Sequence, residues 1–287
     1  MKKLILGSVL LLSSVATAQA ATQTFDMINA GHNSNTAYSE LSFTGVDGHG
    51  QSSGLNATVT AWADTLENAK DDPNNSGNDD TITQANMYKW ENTHDNYVYG
   101  WGVVSVDETG SGLEDHAHAF DNTGRYNSTD YDFVLIEFNQ SVELSGIDLQ
   151  WTPWEQNRHG RWVEQSAAVT VVSLSESDAL NLKDTSSHSV WSDFINPSNS
   201  NSYDIKASDG YYALDNTTTS SYWLVGAYMD SFGNHCPDDN IFKLAGFQAT
   251  ASTSPSQRPS NPVPEPASLA LFGLGIAGLM IRKQRKA

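Results

Sequence analysis

Residues 133–151 read FVLIEFNQSVELSGIDLQW, a stretch rich in β-branched, aromatic and other apolar side chains. Such side chains favour extended backbone, and the stretch predicts two strands, Phe133–Phe138 and Val142–Trp151. Similar patterns on either side predict five more strands: Leu55–Trp62, Tyr97–Val106, Ala167–Leu174, Ser221–Tyr228 and Ile241–Thr250. A helical pattern occurs in Ser175–Leu182, where Ser175 is a suitable N-cap.

Clusters of Gly, Asn, Asp and Ser separate the predicted strands and indicate turns. They lie at Gly45–Gly54, Asp71–Asp80, Asp121–Thr129 and Asn196–Tyr203. Many short strands without strand-helix alternation predict an all-β fold, and we expect an antiparallel β-sandwich of jelly-roll-like order. The predicted sandwich domain spans residues 21–251, and a Ser/Pro linker follows at 252–262.

The N-terminal 20 residues have the features of a secretory signal peptide. Lys2 and Lys3 precede the apolar run Leu4–Leu12, and the small residues Ala18 and Ala20 stand where a signal peptidase needs them. We therefore expect cleavage after Ala20 and export of the remaining chain.

The C-terminal segment, residues 263–287, has three consecutive parts. The motif Val263-Pro264-Glu265-Pro266 stays extended because each proline fixes its φ angle. The uncharged residues 267–281 form a predicted transmembrane helix. Its length of about 22 Å is short for a bilayer, but flanking basic side chains can reach the interface. A basic end then stops translocation, and it contains Arg282, Lys283, Arg285 and Lys286.

This order of motif, apolar helix and basic tail resembles the PEP-CTERM sorting signal of bacterial proteins. The resemblance implies that an exosortase, a membrane enzyme, recognises and processes the chain for delivery to the cell surface or extracellular matrix. It also implies a membrane contact through the C-terminal helix. The body is similar to exosortase-dependent surface proteins in five blocks: His118–Gly124, Phe133–Phe138, Val142–Trp151, Ser221–Tyr228 and Asn240–Phe247.

The composition is strongly acidic, with a formal net charge of -19 and only 15 Lys and Arg residues. Six of these basic residues belong to the two terminal segments, so the body is more acidic still. Such a charge repels nucleic acid and anionic lipid, and we expect no nucleic-acid partner. Cys236 is the only cysteine, so the chain cannot form an internal disulfide.

Two polar segments contain candidate metal ligands. His116 and His118 are two residues apart, which places both imidazoles on one face of an extended chain, and Asp121 follows. Asp79 and Asp80 end an acidic loop whose oxygen atoms suit calcium, the one cofactor that we consider for this chain. The alternative interpretations are a polar segment that braces a turn and an ordinary solvated loop.

Trp151 and Trp154 are candidate glycan-binding residues because they follow a predicted strand in the sequence Trp-Thr-Pro-Trp. Exposed indole rings can stack on the apolar faces of sugars. Four further tryptophans lie in or beside strand patterns, and most of them are expected to fill the core: Trp62, Trp90, Trp101 and Trp223.

The leading functional hypothesis is a non-catalytic exported surface or matrix protein associated with exopolysaccharide in a biofilm. One alternative is a secreted carbohydrate-active hydrolase, which would need two carboxylates at a set separation, one with a raised pKa. The other is a coat protein stabilised by calcium. The sequence contains neither a phosphate-binding loop nor a His-Glu-x-x-His motif.

Overall fold

A computed structural model describes residues 21–65, 81–92, 94, 96–105, 119–122, 131–184, 189–227 and 240–252. By backbone proximity the chain divides into two units, Met1–Ser252 and Thr253–Ala287, and all described residues belong to the first unit. The strands of the described residues are β1 (Thr22–Asp26), β2 (Ala37–Tyr38), β3 (Leu41–Val46), β4 (Ser52–Thr65), β5 (Thr81–Asn92), β6 (Tyr97–Val104), β7 (Phe120–Asp121), β8 (Asp132–Trp151), β9 (Trp154–Gln156), β10 (Trp162–Glu164), β11 (Ala167–Leu174), β12 (Ser200–Ile205), β13 (Tyr212–Ala213), β14 (Ser220–Ala227) and β15 (Ile241–Ala251).

The fold is all-β, and every strand pair among the described residues is antiparallel. One large sheet contains every strand except β9 and β10, which form a separate two-stranded sheet. Five strands of the large sheet pair in a closed ring, in the order β4, β3, β1, β15 and β8. The predicted all-β class is confirmed, whereas the jelly-roll-like order stays a prediction.

Strand β8 organises the ring because it is 20 residues long and changes partners along its length. Its first part pairs with β4 and β14, and its second part pairs with β15. Asn139 lies between the two parts, where its side chain accepts a hydrogen bond from the amide of Asn56 (3.0 Å) and donates one to the carbonyl of Gly54 (2.9 Å). The two predicted strands at 133–138 and 142–151 are therefore one continuous strand.

Both faces of the sheet are buried where β4, β8, β11 and β14 lie side by side. Val134 and Ile136 face the main core, whereas Phe133 and Leu135 face a second apolar cluster. That second cluster also contains Trp191 and residues of the helix α1 (Glu176–Lys183). Burial on both faces explains why these strands are apolar at almost every position.

Helix α1 confirms the predicted helix and its cap. The Ser175 side chain accepts a hydrogen bond from the amide of Asp178 (3.1 Å), and the Asp178 carboxylate accepts one from the amide of Ser175 (3.4 Å). This reciprocal pair satisfies amides that the first turn of a helix leaves without partners.

One turn prediction was partly wrong. The predicted turn at Asn196–Tyr203 ends earlier, because β12 begins at Ser200 and pairs with β11. The expectation that most of the four strand tryptophans fill the core is confirmed: Trp62, Trp101 and Trp223 are buried, whereas Trp90 lies on the outside of the sheet and is only partly covered.

Candidate functional site

A short hairpin made of β9 and β10, here called the aromatic hairpin (residues 154–164), projects two indole rings into solvent. Trp154 lies opposite Glu164, and Trp162 lies opposite Gln156. Side chains alternate between the faces of a strand, so both tryptophans are on the same face, in diagonal positions about 7–8 Å apart. Their exposed fractions are 53% and 63%. The predicted exposure of Trp154 is confirmed, and Trp162 is a second candidate that the sequence analysis missed.

The turn of the aromatic hairpin is fixed by Asn157. Its side-chain oxygen accepts hydrogen bonds from the amides of His159 (2.9 Å) and Arg161 (3.1 Å), and its carbonyl accepts one from Gly160 (2.8 Å). Gly160 has a φ of 71°, a left-handed conformation that favours glycine. Asp47–Gln51 repeats the same hydrogen-bond pattern between β3 and β4. The tip of the hairpin is therefore a defined turn.

The base of the aromatic hairpin is attached to the large sheet through Glu164. The carboxylate of Glu164 accepts hydrogen bonds from the hydroxyl of Thr152 (3.1 Å) and from the amide of Ser208 (3.2 Å). The amide of Gln165 also donates to the carbonyl of Pro153 (2.8 Å). Since Thr152 is fully buried, these contacts hold both indole rings in a set direction relative to the end of β8.

A second group of aromatic rings lies on the outside of the large sheet; we call it the aromatic row (Tyr97, Tyr99, Trp90 and Trp151). The rings of Trp90 and Tyr99 are 4.4 Å apart, and those of Tyr99 and Tyr97 are 4.8 Å apart. The buried Lys243 ammonium lies 5.2 Å from the Trp90 ring and 5.8 Å from the Trp151 ring. Cation–π attraction thus holds both indoles against the sheet.

Trp151 occupies a different place from the predicted projecting loop. It is the last residue of β8, pairs with Lys243 across the ladder and is partly buried. Gly100 allows this packing: it has a φ of 109°, and a Cβ there would lie 2.8 Å from the Gln150 side chain and 3.1 Å from that of Lys243. Trp151 therefore presents a smaller surface to a ligand than Trp154 does.

Two carboxylates face the outside of the sheet on β1 and β8, the strands on either side of β15. Asp26 on β1 and Asp148 on β8 both pair with Gly246 on β15, which lies between them. A Cβ at Gly246 would be 2.7 Å from the Tyr211 hydroxyl, so the phenol ring covers the glycine. We call Asp26 and Asp148 the carboxylate pair.

The carboxylate pair has an unusual electrostatic environment. Burial and then the nearby Asp26 charge raise the pKa of Asp148 to about 6. Burial also raises the pKa of Tyr211, with smaller contributions from Asp148 and Asp26. Asp26 accepts hydrogen bonds from the amides of Ile28 (3.0 Å) and Asn29 (2.9 Å). One carboxyl that changes protonation near neutral pH beside another carboxylate is the combination that glycosidases use for proton transfer.

We expect the variant Asp148→Asn to be more stable than the natural protein at pH 7.5 and equally stable near pH 4. A raised acid pKa means that the folded state binds more protons than the unfolded state, so stability falls as pH rises from about 4 to about 6. A pKa shift of this size equals about 3 kcal/mol unscreened, and we expect about 1 kcal/mol because Asp148 is partly exposed and solvent screens its charge.

Urea denaturation at several pH values measures this difference. Asp204→Asn, a change of an exposed aspartate on β12, is the control for net charge. A variant Asp148→Asn that gains no stability at pH 7.5 would contradict the proposed burial penalty.

The sequence Gly50-Gln51-Ser52-Ser53-Gly54 fits the Gly-x-Ser-x-Gly pattern of hydrolase nucleophiles, but its structural context differs. A nucleophile elbow joins a strand to a helix. Here the segment joins β3 to β4 in a hairpin, and the Ser52 hydroxyl accepts a hydrogen bond from the Gly54 amide (3.2 Å). We assign no catalytic role to Ser52.

Of the candidate metal ligands, the structure describes Asp121 alone. It lies in β7, is buried, and its amide donates to the Asp132 carboxylate (3.2 Å). Within the described ranges, no group of three or more His, Cys, Asp or Glu side chains is arranged to hold a metal ion. The other candidates lie outside the described residues: His116, His118, Asp79 and Asp80.

A scan against protein-family models matched residues 262–286 to the PEP-CTERM protein-sorting motif. The chain carries a PEP-CTERM sorting signal. This PEP-CTERM protein is thus an exported surface protein that passes through a transient membrane-anchored state and is processed by an exosortase. Comparisons with curated proteins and with solved structures gave no match.

The match covers the sorting residues predicted from the sequence, Val263–Pro266 and the basic residues 282–286. They lie outside the described residues, as do the predicted membrane helix at 267–281 and the signal-peptide residues Ala18 and Ala20. Within the part of this PEP-CTERM protein that the structure describes, no helix has the length and apolar character needed to span a membrane.

Proposed function

We propose that this protein is a non-catalytic surface protein that binds exopolysaccharide in the biofilm matrix. In this proposal, signal peptidase removes residues 1–20 during export, and an exosortase then processes the C-terminal signal. The β-rich body is left at the surface with the aromatic hairpin available for a ligand.

The aromatic hairpin is the observation that carries the proposal. Trp154 and Trp162 are each more than half exposed, and both lie on one face of the hairpin. An exposed indole contributes less hydrophobic stabilisation to folding than a buried one, so its exposure points to a binding role. Their shared face matches the repeated apolar faces of successive sugars in a polymer. The attachment of Glu164 to Thr152 keeps the hairpin ordered before binding, which lowers the entropic cost of association.

We expect the double variant Trp154→Ala/Trp162→Ala to bind polysaccharide about 10- to 100-fold more weakly than the natural protein, since each stacking contact contributes about 1 kcal/mol. Binding is measured with the full chain in detergent micelles against immobilised alginate, cellulose and a β-1,3-glucan. The variant should unfold at the same urea concentration as the natural protein, because both side chains are exposed.

Leu180→Ala is the matched control for this experiment. Leu180 is an exposed large apolar residue on α1, with 57% of its side chain accessible. Its loss should leave polysaccharide binding unchanged. Equal binding by the natural protein and the double tryptophan variant, or binding to none of the three polysaccharides, would argue against the proposed function.

A carbohydrate hydrolase is the second candidate function, because Asp148 of the carboxylate pair is on the same strand as Trp151, β8. Asp148 and Trp151 are three residues apart, or about 10 Å along the strand. In this candidate Asp148 is the general acid. New reducing ends released from the same polysaccharides, and lost in Asp148→Asn, would favour it over the non-catalytic proposal.

A further inference from the structure

We propose that the ligand of the aromatic hairpin is an acidic polysaccharide, whose sugar carboxylates pair with Arg158 and Arg161 at the tip. This inference rests on the proposed function and specifies its ligand class. Both arginines are exposed, and both belong to the turn that follows β9.

The placement of basic side chains within the described residues supports an anionic ligand. Lys89 is buried and donates hydrogen bonds to the carbonyls of Ile28 (2.7 Å) and His32 (3.2 Å). Lys183 pairs with the Glu137 carboxylate at 2.8 Å, and Lys243 is buried beside the aromatic row. These three ammonium groups therefore already interact with groups of the protein itself.

Arg158 and Arg161 differ from these lysines. Neither forms an ion pair with a described residue, and both are in solvent on a turn held by Asn157.

The two carboxylates of the hairpin lie away from this turn: Glu155 follows Trp154 on β9, and Glu164 is held at the base by Thr152 and Ser208. In a chain of net charge -19, two guanidinium groups without an ion pair among the described residues therefore make the tip itself locally positive. The acidic body repels an anionic polymer, so the hairpin tip is the part of the described surface where such a polymer can approach.

The chemistry of an acidic sugar chain fits both parts of the hairpin. A uronic acid residue has an apolar ring face, which stacks on indole, and a carboxylate, which accepts two hydrogen bonds from one guanidinium. Trp162 is adjacent to Arg161 in the chain, so a ring on the indole brings its substituents near the turn. A neutral glycan could stack on the tryptophans but would form no ion pair with the arginines.

The test compares alginate, a polyuronate, with cellulose and with double-stranded DNA, which is anionic but lacks sugar carboxylates. The full chain is measured in detergent micelles at 50 mM and 300 mM salt. The variant is Arg158→Gln/Arg161→Gln, and Lys206→Gln is the control that removes one positive charge near the base of the hairpin, outside the tip. Both arginine substitutions are on an exposed turn, so the variant is expected to fold normally.

The natural protein should bind alginate at least 10-fold more tightly than cellulose or DNA. The double arginine variant should lose at least 10-fold in alginate affinity, with no change for cellulose, and high salt should reduce alginate binding because it screens exposed charges. Lys206→Gln should keep at least half of the natural affinity.

Two outcomes overturn this inference and leave the proposed function in place. One is equal affinity for alginate and cellulose with no effect of the arginine substitutions; the other is DNA binding as tight as alginate binding, which would mean a general preference for polyanions. Failure to bind alginate, cellulose and the β-1,3-glucan would instead overturn both this inference and the proposed function.

Discussion

Replacing Gly226 with alanine is expected to destabilise the protein by about 3 kcal/mol or more. Gly226 lies on β14, opposite Phe133 of β8 and Thr170 of β11. A Cβ at this position would overlap the backbone carbonyl of Asp132 and lie 2.5 Å from the Phe133 ring. A backbone carbonyl in a paired central strand cannot move aside without breaking ladder hydrogen bonds, so the whole four-stranded region must adjust.

Urea denaturation of the full chain, followed by tryptophan fluorescence, gives the change in the free energy of unfolding. Gly48→Ala is the matched control because a Cβ there has no heavy atom within 4 Å. We expect the control to stay within about 0.5 kcal/mol of the natural protein. A Gly226→Ala protein of natural stability would show that β8 and β14 are farther apart than described.

Replacing Trp101 with alanine is expected to cost about 3–5 kcal/mol of folding stability, the usual range for removing a buried tryptophan. Trp101 is completely buried on β6, and its indole nitrogen donates a hydrogen bond to the carbonyl of Met27 (2.9 Å). Its ring also contacts His32 and Tyr38, with centroids 5.8 Å away in both cases. The variant would leave both a cavity and an unsatisfied carbonyl.

The neighbouring His32 adds to this expectation. Burial, and then the charge of Lys89, lower the pKa of His32, whose ring lies edge-on to Trp101. A cavity that admits water would reduce this burial and favour the charged form. Loss of Trp101 therefore weakens packing beyond the deleted side chain.

Trp162→Ala is the control for Trp101→Ala, since both remove one indole and differ in burial. The Trp162 side chain is 63% exposed, and we expect its loss to change stability by less than about 0.5 kcal/mol. The two variants separate the roles of tryptophan in this chain: Trp101 is needed for folding, and Trp162 is available for binding. Equal destabilisation by both would contradict this division.

Sequence patterns predicted the fold class, helix α1 and six of the fifteen strands of the described residues, because local side-chain chemistry determines these elements. Ala167–Leu174 was predicted with the observed boundaries, and helix α1 agreed within one residue. Strand β5 was missed because polar residues interrupt its pattern: it alternates between buried and exposed positions and contains Gln84, Asn86 and Lys89. Burial of Lys89 is possible because two carbonyls distant in sequence accept hydrogen bonds from its ammonium group.

The candidate site was predictable in part. Trp154 was identified from its place after a strand, and its exposure was confirmed. Trp162 could have been predicted as a partner of Trp154, since a turn around Gly160 between the two tryptophans indicates a hairpin. Their position on a common face depends on the register of β9 and β10, which the sequence pattern does not give. The carboxylate pair had no sequence signal, because Asp26 and Asp148 meet only through β15.

By itself, the sequence determined that this chain carries a sorting signal, because a peptide motif, an apolar run and a basic tail act as a linear segment. It also determined the all-β class, because β-branched and aromatic runs separated by turn residues favour strands wherever they occur. The tertiary structure alone decided which aromatic rings are exposed. Trp151 and Trp154 are three residues apart, yet Lys243 holds the first against the sheet and the hairpin ladder carries the second into solvent. Burial depends on residues brought together from distant parts of the chain, and spacing along the sequence does not specify them.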